Sequence, residues 1–246
     1  MLKKRIIPCL DIKSGRVVKG TNFKALKEVG DPVEFAQKYS ETGADEICFL
    51  DIAASEENRG AILEIISRTA KVVFVPLTVG GGVSKPDDIQ KLLWAGADKV
   101  SLNSGAVKNP ELIKLSAQKY GSQCTILAID AKRSSQTKSG FEVFIRGGKE
   151  ATGLDVLEWA QFSTEAGAGE ILLTSMDADG TKSGYDIELT NLISQRVKVP
   201  VIASGGAGQL YHLKELFQKT KAQAALLASV LHYGNFTLEE LRNSLE

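Results

Sequence analysis

The chain has 246 residues, of which 43% are hydrophobic and 24% charged, and its 30 basic residues balance its 30 acidic ones. This length fits one large α/β domain as well as two small ones, and the apolar fraction is typical of a folded core rather than a disordered chain. The formal net charge of zero provides no basic field to steer the protein onto nucleic acid or an anionic membrane.

Short apolar runs alternate along the chain with longer helical patterns. Most of the runs are almost continuously hydrophobic, as strands buried on both faces are. The predicted strands are Arg5–Leu10, Glu46–Leu50, Val72–Val79, Lys99–Leu102, Cys124–Ile129, Glu170–Thr174, Val199–Ala203 and Gln223–Ala228.

Helical periodicity fills most of the gaps between these strands. Asp31 before Pro32 is a typical helix start, because the carboxylate caps the first amides and proline suits the first helical position. The predicted helices are Pro32–Thr42, Asp87–Ala95, Glu111–Tyr120, Leu154–Ala166, Ile187–Arg196, Leu210–Lys219 and Leu238–Leu245.

Two segments interrupt this alternation. Lys13–Val29, after the first strand, is interpreted as a long mobile loop over a barrel mouth. Arg133–Gly140, after the fifth strand, is polar and rich in turn residues, and it leads into Phe141–Ile145, which alternates like a strand of a hairpin.

The chain also repeats itself at half its length. The segment Val75–Gly82 is similar to Val199–Gly206, 124 residues further on, and Gly43–Ile47 is similar to Gly167–Ile171 at the same spacing. Eight β-α units in a chain of this length predict one (β/α)8 barrel domain, residues 1–246, built from two similar half-barrels. An open doubly wound sheet is the alternative, and the repeat disfavours it because two four-strand halves close naturally into a ring.

The cysteines and the N-terminus predict a cytoplasmic protein. Cys9, Cys48 and Cys124 lie in apolar strand-like runs, which favours buried reduced thiols over disulfides. The apolar run Ile6–Leu10 is too short for a signal peptide or a membrane span. With only two histidines and no metal-ligand spacing, the sequence predicts no metal site.

Glycine loops follow two of the predicted strands. In a barrel of this kind the active site lies at the carboxyl ends of the strands, where glycine-rich backbone can cradle a phosphate with its amides. Gly80–Gly82 together with Asn103–Ser104 predicts one phosphate site, and Gly205–Gly206 together with Ala228–Ser229 predicts a second. Tight turns are the alternative for either loop alone, but two loops at matching positions favour an elongated bisphosphate substrate.

Aspartates end several of the strands. Asp11 and Asp130 end the first and fifth, opposite each other, and two carboxylates facing one substrate can divide general acid and base roles. Asp51 and Asp177 are interpreted as structural groups that bind loop amides. Lys19, in the long loop, either reaches over the substrate or is a solvated lysine.

The opposite end of the predicted barrel also carries charge. Arg5, Glu46, Lys99 and Glu170 lie at strand starts with both signs represented. They predict a ring of salt bridges that plugs this end, where charges usually serve stability.

Several segments closely resemble the cyclase subunits of imidazole glycerol phosphate synthase, from histidine biosynthesis. They are specific in combination and run over nearly the whole chain. The segments are Arg5–Asp11, Gly15–Gly20, Gly96–Ser101, Gly167–Ile171, Asp179–Asp186 and Ala203–Gly208.

This resemblance implies a reaction and a set of roles. Ammonia condenses with the keto group of a ribulosyl aminoimidazole carboxamide ribonucleotide that carries two phosphates, and the products are imidazole glycerol phosphate and an aminoimidazole carboxamide ribotide. Asp11 and Asp130 are the implied acid–base pair, and Lys19 belongs to the closing loop. The implied substrate-binding residues are Gly82, Asn103 and Ser104 at one phosphate, Asp179, Gly180, Gly206, Ala228 and Ser229 at the other, and Thr174 at a strand end.

The resemblance also implies a partner. The family draws ammonia from a separate glutaminase docked at the N-terminal face of the barrel, and Arg5, Glu46, Lys99 and Glu170 match its charged gate. In this reading the plug becomes the mouth of an ammonia channel. No cofactor, nucleic acid or membrane is implied.

Three positions depart from the family, and two rival functions stay open. Ala53 stands where Thr is usual, Ser14 where Asp or Asn is common, and the chain ends at Glu246, short of the usual tail. One rival is the related phosphoribosyl sugar isomerase of the same pathway, against which the charged ring and the Asp-Gly-Thr-Lys-Ser-Gly segment argue. The other is a repurposed barrel paired with a glutaminase, against which Asp11 argues.

Overall fold

The structure, a computed structural model, describes residues 3–21, 24–52 and 59–245. In this part of the chain the strands are β1 (Arg5–Lys13), β2 (Arg16–Thr21), β3 (Lys24–Gly30), β4 (Ile47–Asp51), β5 (Leu77–Gly80), β6 (Lys99–Leu102), β7 (Thr125–Arg133), β8 (Phe141–Ile145), β9 (Glu150–Asp155), β10 (Glu170–Ser175), β11 (Val201–Ser204) and β12 (Ala224–Leu227). The helices are α1 (Pro32–Glu41), α2 (Arg59–Thr69), α3 (Pro86–Ala95), α4 (Ser104–Lys108), α5 (Glu111–Tyr120), α6 (Val156–Glu165), α7 (Ile187–Ser194), α8 (Leu210–Lys219), α9 (Ser229–His232) and α10 (Leu238–Asn243).

Eight of the described strands form a closed parallel barrel in the order β1-β4-β5-β6-β7-β10-β11-β12. The ring closes because β1 pairs in parallel with both β4 and β12. On the far side, β7 pairs in parallel with both β6 and β10. The predicted (β/α)8 barrel is therefore confirmed, and the open doubly wound sheet is excluded.

Alternation of side chains divides the apolar core in two. On β1, Ile7 and Cys9 belong to a small cluster with inward residues of the other strands, whereas Ile6 and Leu10 belong to the large cluster between strands and helices. Successive residues of a strand point to opposite faces, so Arg5 and Asp11 share the inward face of Ile7 and Cys9. One strand therefore carries a charge at each end of the barrel interior.

Each half of the barrel carries a hairpin after its first strand. β2 pairs antiparallel with β1 and with β3, so the prediction of a long loop over Lys13–Val29 is wrong. Ser14 and Gly15 make the turn with φ angles of 50° and 79°, and the buried Val17 and Val18 hold β2 on the barrel. In the second half β8 pairs antiparallel with β7 and β9, which confirms the predicted strand Phe141–Ile145.

Other boundaries differ from prediction for local reasons. The predicted strand Val72–Val79 begins only at Leu77, because the amides of Val72 and Val73 bond back to Thr69 at the end of α2. Cys124 lies in a 3₁₀ turn before β7 and is only partly buried, whereas Cys9 and Cys48 are buried in strands.

Three helices escaped prediction. Two of them, α4 and α9, have 5 and 4 residues and are too short to show a helical period. The third, α2, carries apolar residues with helical spacing that the prediction passed over. None of the described helices has the length and apolar character needed to cross a membrane.

Candidate active site

Asp11 and Asp130 face the barrel interior from opposite strands. Asp11 lies on β1 and Asp130 on β7, with three barrel strands between them on either side. Asp130 shares its face with Ile126 and Ala128, which belong to the interior cluster, as Asp11 does with Ile7 and Cys9. Asp11 is buried and Asp130 partly buried. Both side chains therefore lie on the inner face of the barrel, toward the carboxyl ends of the strands.

Asp130 holds its proton more tightly than an ordinary aspartate. Burial and, to a smaller extent, the negative charge of Asp179 raise the pKa of its carboxyl group to about 6, although a hydrogen bond from Asn103 opposes the shift. The Asn103 Nδ2 donates to the Asp130 Oδ2 over 3.1 Å. Both protonation states of Asp130 are therefore accessible near neutral pH.

Asn103 and Ser104, predicted as phosphate ligands, have partners within the protein. Asn103 follows Lys99 and Ser101 on the inward face of β6, and this register directs its amide to Asp130. The Ser104 hydroxyl oxygen accepts a hydrogen bond from the Arg146 amide over 2.9 Å. The segment after β6 is thus tied both to the carboxylate and to the hairpin of the second half.

Both glycine loops are crowded by neighbouring backbone. We call residues 80–85 the first glycine loop and residues 204–209 the second. At Gly81, with φ of 107°, a Cβ atom would lie 2.2 Å from the Asp51 carbonyl oxygen. At Gly206, with φ of 100°, it would lie 1.9 Å from the carbonyl oxygen of Gly184. Only glycine fits these approaches, which bring the first loop against the end of β4 and the second against the segment between β10 and α7.

A short helix follows the strand beside each glycine loop. α4 begins after Asn103 and α9 begins after Ala228. The two preceding residues have nearly the same backbone angles, with φ of −128° and ψ of −101° at Asn103 and φ of −127° and ψ of −84° at Ala228. The predicted phosphate sites therefore share one backbone design in both halves.

The remaining strand-end residues gather near Asp130. Thr174 on β10 pairs in register with Asp130 on one side and Ser204 on the other. Asp179 lies close enough to Asp130 to raise its pKa. Gly180, with φ of 75°, turns the chain directly after Asp179. These residues lie between the second glycine loop and the catalytic candidate.

Asp177 differs from this group, because its Oδ2 accepts the Arg133 amide over 2.9 Å, in keeping with its structural interpretation.

The four charged residues at the other end form a closed network, which we call the charged ring. Arg5 pairs with Glu46 over 2.9 Å and also with Glu170. Lys99 pairs with Glu46 over 2.7 Å and with Glu170 over 3.1 Å. The two carboxylates are largely buried, with exposed side-chain fractions of 2% at Glu46 and 8% at Glu170. Each carboxylate therefore has both cations as partners, as the predicted plug requires.

Some predictions fall outside what the structure describes. Ala53 and Glu246 are outside the described residues, and so is the side chain of Lys19, although its backbone lies in β2. Within the described ranges no group of three or more His, Cys, Asp and Glu side chains is arranged to hold a metal ion.

Sequence reasoning missed two residues that support the glycine loops. Asp88 accepts the amides of Ser84 and Lys85 over 3.0 and 3.2 Å. His212, 124 residues further on, accepts the amides of Gly208 and Gln209 through Nδ1, each over 3.1 Å. The repeat itself was the signal, since extending it by a few residues beyond Gly82 and Gly206 pairs Asp88 with His212.

The chain is similar to known proteins over its whole length. The family model described as "Histidine biosynthesis protein" matches residues 5–237. Three relatives named imidazole glycerol phosphate synthase subunit HisF match the whole chain. That of Clostridium botulinum (strain Okra / Type B1) is 55% identical over 246 residues, and the match covers 100% of this chain and 97% of the relative. That of Methanococcus maripaludis (strain C6 / ATCC BAA-1332) is 54% identical over 264 residues, with 100% and 97% covered. That of Bacillus cereus (strain AH187) is 57% identical over 245 residues, with 100% and 96% covered.

The crowding at the first glycine loop predicts a large cost for a single methyl group. We expect Gly81→Ala to destabilise the protein by about 2–4 kcal/mol, because left-handed backbone strain adds to the clash with Asp51. The matched control is Gly140→Ala, which has φ of 78° but open space around the added Cβ. It should cost only the backbone strain, about 1 kcal/mol. Urea unfolding measures both, and equal losses would contradict the steric argument.

The raised pKa of Asp130 predicts a pH-dependent stability. The folded chain binds this proton more tightly than the unfolded chain, so its contribution to stability is lost as the pH rises from about 4 through 6. We expect Asp130→Asn to exceed the wild type in stability by about 1–3 kcal/mol above pH 7, and by roughly half as much near pH 5. Thermal unfolding across this range is the measurement. Asp177→Asn is the control, and Asp130→Asn losing stability at neutral pH would refute the argument.

Proposed function

The chain belongs to the HisF family of imidazole glycerol phosphate synthase subunits, the cyclase subunits of an enzyme of histidine biosynthesis, and from this premise we propose how its barrel acts. The substrate is the ribulosyl aminoimidazole carboxamide ribonucleotide with its two phosphates. It lies across the carboxyl ends of the strands, between Asp11 and Asp130. The observation that carries the proposal is that these two aspartates face one interior from opposite strands.

The two phosphates occupy equivalent places in the two halves. Gly82, Asn103 and Ser104 hold one phosphate. Asp179, Gly180, Gly206, Ala228 and Ser229 hold the other, with Thr174 between this group and Asp130. The matching backbone angles before α4 and α9 support this assignment, as does the close backbone packing of both glycine loops. Backbone amides are the donors in each site, and Lys19 covers the substrate from β2.

The aspartates divide the proton transfers. Ammonia adds to the keto carbon, and the former carbonyl oxygen leaves as water, which needs a proton donor. The nitrogen that joins the new ring must in turn give up protons to a base. Burial raises the pKa of Asp130 to about 6, which suits it to the acid role and leaves the base role to Asp11. Ring closure joins the added nitrogen to the carbon that links the two parts of the substrate. That carbon's bond to the departing amine then breaks, which releases imidazole glycerol phosphate and the aminoimidazole carboxamide ribotide.

Ammonia enters from the other end of the barrel. A glutaminase subunit docks at the N-terminal face, over the charged ring of Arg5, Glu46, Lys99 and Glu170. Beyond this ring the inward side chains include Ile7, Cys9 and Leu172, an apolar route through which neutral ammonia passes and bulk water does not. The ring must open for passage, and Lys99 is the simplest element to move because its flexible side chain holds both carboxylates.

The reaction requires no cofactor, because each step is an addition, an elimination or a proton transfer. Nucleic acid and membranes have no part in it. A cytoplasmic location is part of the proposal, and it is supported by Cys9, Cys48 and Cys124, which form no disulfides with one another.

Removing either carboxylate should abolish turnover. We expect Asp11→Asn and Asp130→Asn each to lower kcat by on the order of 10²-fold or more while substrate still binds, because a proton-transfer group is lost and the phosphate contacts remain. The assay uses the ribulosyl substrate with an ammonium salt, and equilibrium binding is measured in parallel.

Asp177→Asn is the matched control, since its carboxylate accepts the backbone amide of Arg133 at the end of β7. Near-normal rates in both catalytic variants would dispose of the acid–base assignment. Faster conversion of the aminoaldose precursor than of the ribulosyl compound would support the sugar isomerase instead.

A substitution in the charged ring should affect turnover with ammonia from glutamine differently from turnover with ammonium supplied in solution. We expect Lys99→Met to alter glutamine-driven turnover in the presence of the glutaminase by about tenfold or more relative to ammonium-driven turnover, because ammonium in solution reaches the site from the open mouth. Lys3→Met is the control, since Lys3 is an exposed cation near the same end and pairs with Asp45 outside the ring. Equal changes in both rates would argue against a gate.

A further inference from the structure

The helix after each glycine loop begins with a capping side chain in its first turn. In the first half this is Asp88 on α3, and in the second half it is His212 on α8, 124 residues later. The amides that they accept, those of Ser84 and Lys85 in one half and Gly208 and Gln209 in the other, are related by the same spacing. The two halves therefore use one geometry with two different acceptors.

His212 lies under the second glycine loop and is buried, with 2% of its surface exposed. Its Nδ1 accepts two amide hydrogens, so in this arrangement Nδ1 carries no proton and the neutral ring is protonated at Nε2. A protonated imidazole has an N–H at both nitrogens, and Nδ1–H would then face two further donors. Both hydrogen bonds require the neutral form.

The second glycine loop in turn supports the segment that carries Asp179 and Gly180. The amide of Gly184 donates to the Gly206 carbonyl oxygen over 2.8 Å. At Gly208 an added Cβ would lie 2.1 Å from the carbonyl oxygen of Lys182, so the two segments are in backbone contact. A Cβ added at Gly184 would also touch the His212 ring, 3.5 Å from Cδ2. His212 thus contacts both segments assigned to the second phosphate.

We propose that neutral His212 is a positioning residue for the second phosphate site, and that its protonation releases the second glycine loop and weakens substrate binding at that end alone. The first glycine loop should keep its shape, because there a carboxylate oxygen of Asp88 rather than an imidazole nitrogen accepts the equivalent amides. The consequence for substrate rests on the proposed function, whereas the response of the loop does not.

The surroundings of His212 keep it neutral near physiological pH. Burial lowers the pKa of its imidazole below the ordinary value of 6.5, and the negative charge of Glu215, one turn further along α8, opposes this in part. Glu215 is itself paired with Lys219 over 2.7 Å, and the Tyr211 ring meets the imidazole at its edge. From the neighbouring segment Gly184 presents backbone, and Lys182 contacts the loop through its carbonyl group. The stability that His212 contributes is present above pH 6.5 and lost as the pH falls through its lower folded value.

The first experiment follows the loop without substrate. Amide and imidazole resonances of the full chain are recorded by NMR from about pH 8 to about pH 5. In the wild type the Gly208 and Gln209 amides should titrate together with the His212 imidazole, while the Ser84 and Lys85 amides should not. In His212→Asp, which places the acceptor of the first half in the second, the Gly208 and Gln209 amides should stay constant. Asp88→Asn is the matched control, and its first-loop amides should also stay constant because the amide oxygen still accepts.

The second experiment measures turnover of the ribulosyl substrate with an ammonium salt. Between about pH 7.5 and about pH 5.5, the KM of the wild type should rise relative to that of His212→Asp by on the order of fivefold, the effect of losing one net hydrogen bond. The ratio of their kcat values should stay constant, because the protonation of Asp130 and of ammonia changes with pH in the same way for the wild type and for His212→Asp. A purely structural role for His212 would instead lower kcat and stability together at every pH.

The outcomes separate the two proposals. If the Gly208 and Gln209 amide resonances follow the His212 titration but no turnover is seen, the proposed function is wrong and the response of the loop is still supported. If turnover occurs but the Gly208 and Gln209 amide resonances do not shift as His212 titrates, the inference is wrong. It is also wrong if the ratio of the wild-type KM to the His212→Asp KM does not change with pH. If His212→Asp fails to fold, His212→Asn supplies a non-titrating acceptor, and the wild-type titration alone still decides the first arm.

Discussion

A closed ring of parallel strands, with side chains that alternate inward and outward, determines most of what this protein can do. Parallel pairing gives the eight barrel strands the same polarity, so their starts lie at one end of the interior and their ends at the other. Because the side-chain period is two, the inward residues of β1 run from Arg5 through Ile7 and Cys9 to Asp11. The charged ring, the apolar interior and the carboxylate of Asp11 are thus represented at successive inward positions of one strand. A register slip of one residue would move all of them outward.

The internal repeat gives the site its twofold character without making it symmetric. Both halves supply a hairpin after the first strand, a glycine loop, a short helix and a capped helix after the loop. The halves then differ in the groups that titrate. Asp130 has a raised pKa and an Asn103 partner, and a histidine takes the place that an aspartate occupies in the other half. This combination suits the proposed substrate, because similar loops in the two halves would bind its two phosphates and unequal carboxylates would serve its single reacting centre.

The sequence predicted those features that arise from local patterns. Buried runs gave the eight barrel strands, and charge at strand starts and ends gave the ring and the opposed aspartates. The hairpin of β2 and β3 was not predicted. Its register shifts at two places, and such shifts interrupt the alternation of apolar and polar residues by which a strand is recognised in a sequence. The bond between Asn103 and Asp130 depends on which side chains neighbouring strands β6 and β7 present to each other. That relation follows from register rather than from composition, and so it appeared only with the structure.

The charged ring has an energetic consequence of its own. Its two cations and two carboxylates balance, so the closed network carries no net charge. Moving Lys99 away would leave the two largely buried carboxylates with Arg5 as their shared cation, while Glu46 also accepts a hydrogen bond of 2.5 Å from the Thr78 hydroxyl. The unbalanced negative charge would attract the Lys99 ammonium back to the two carboxylates, so the network itself favours its closed arrangement.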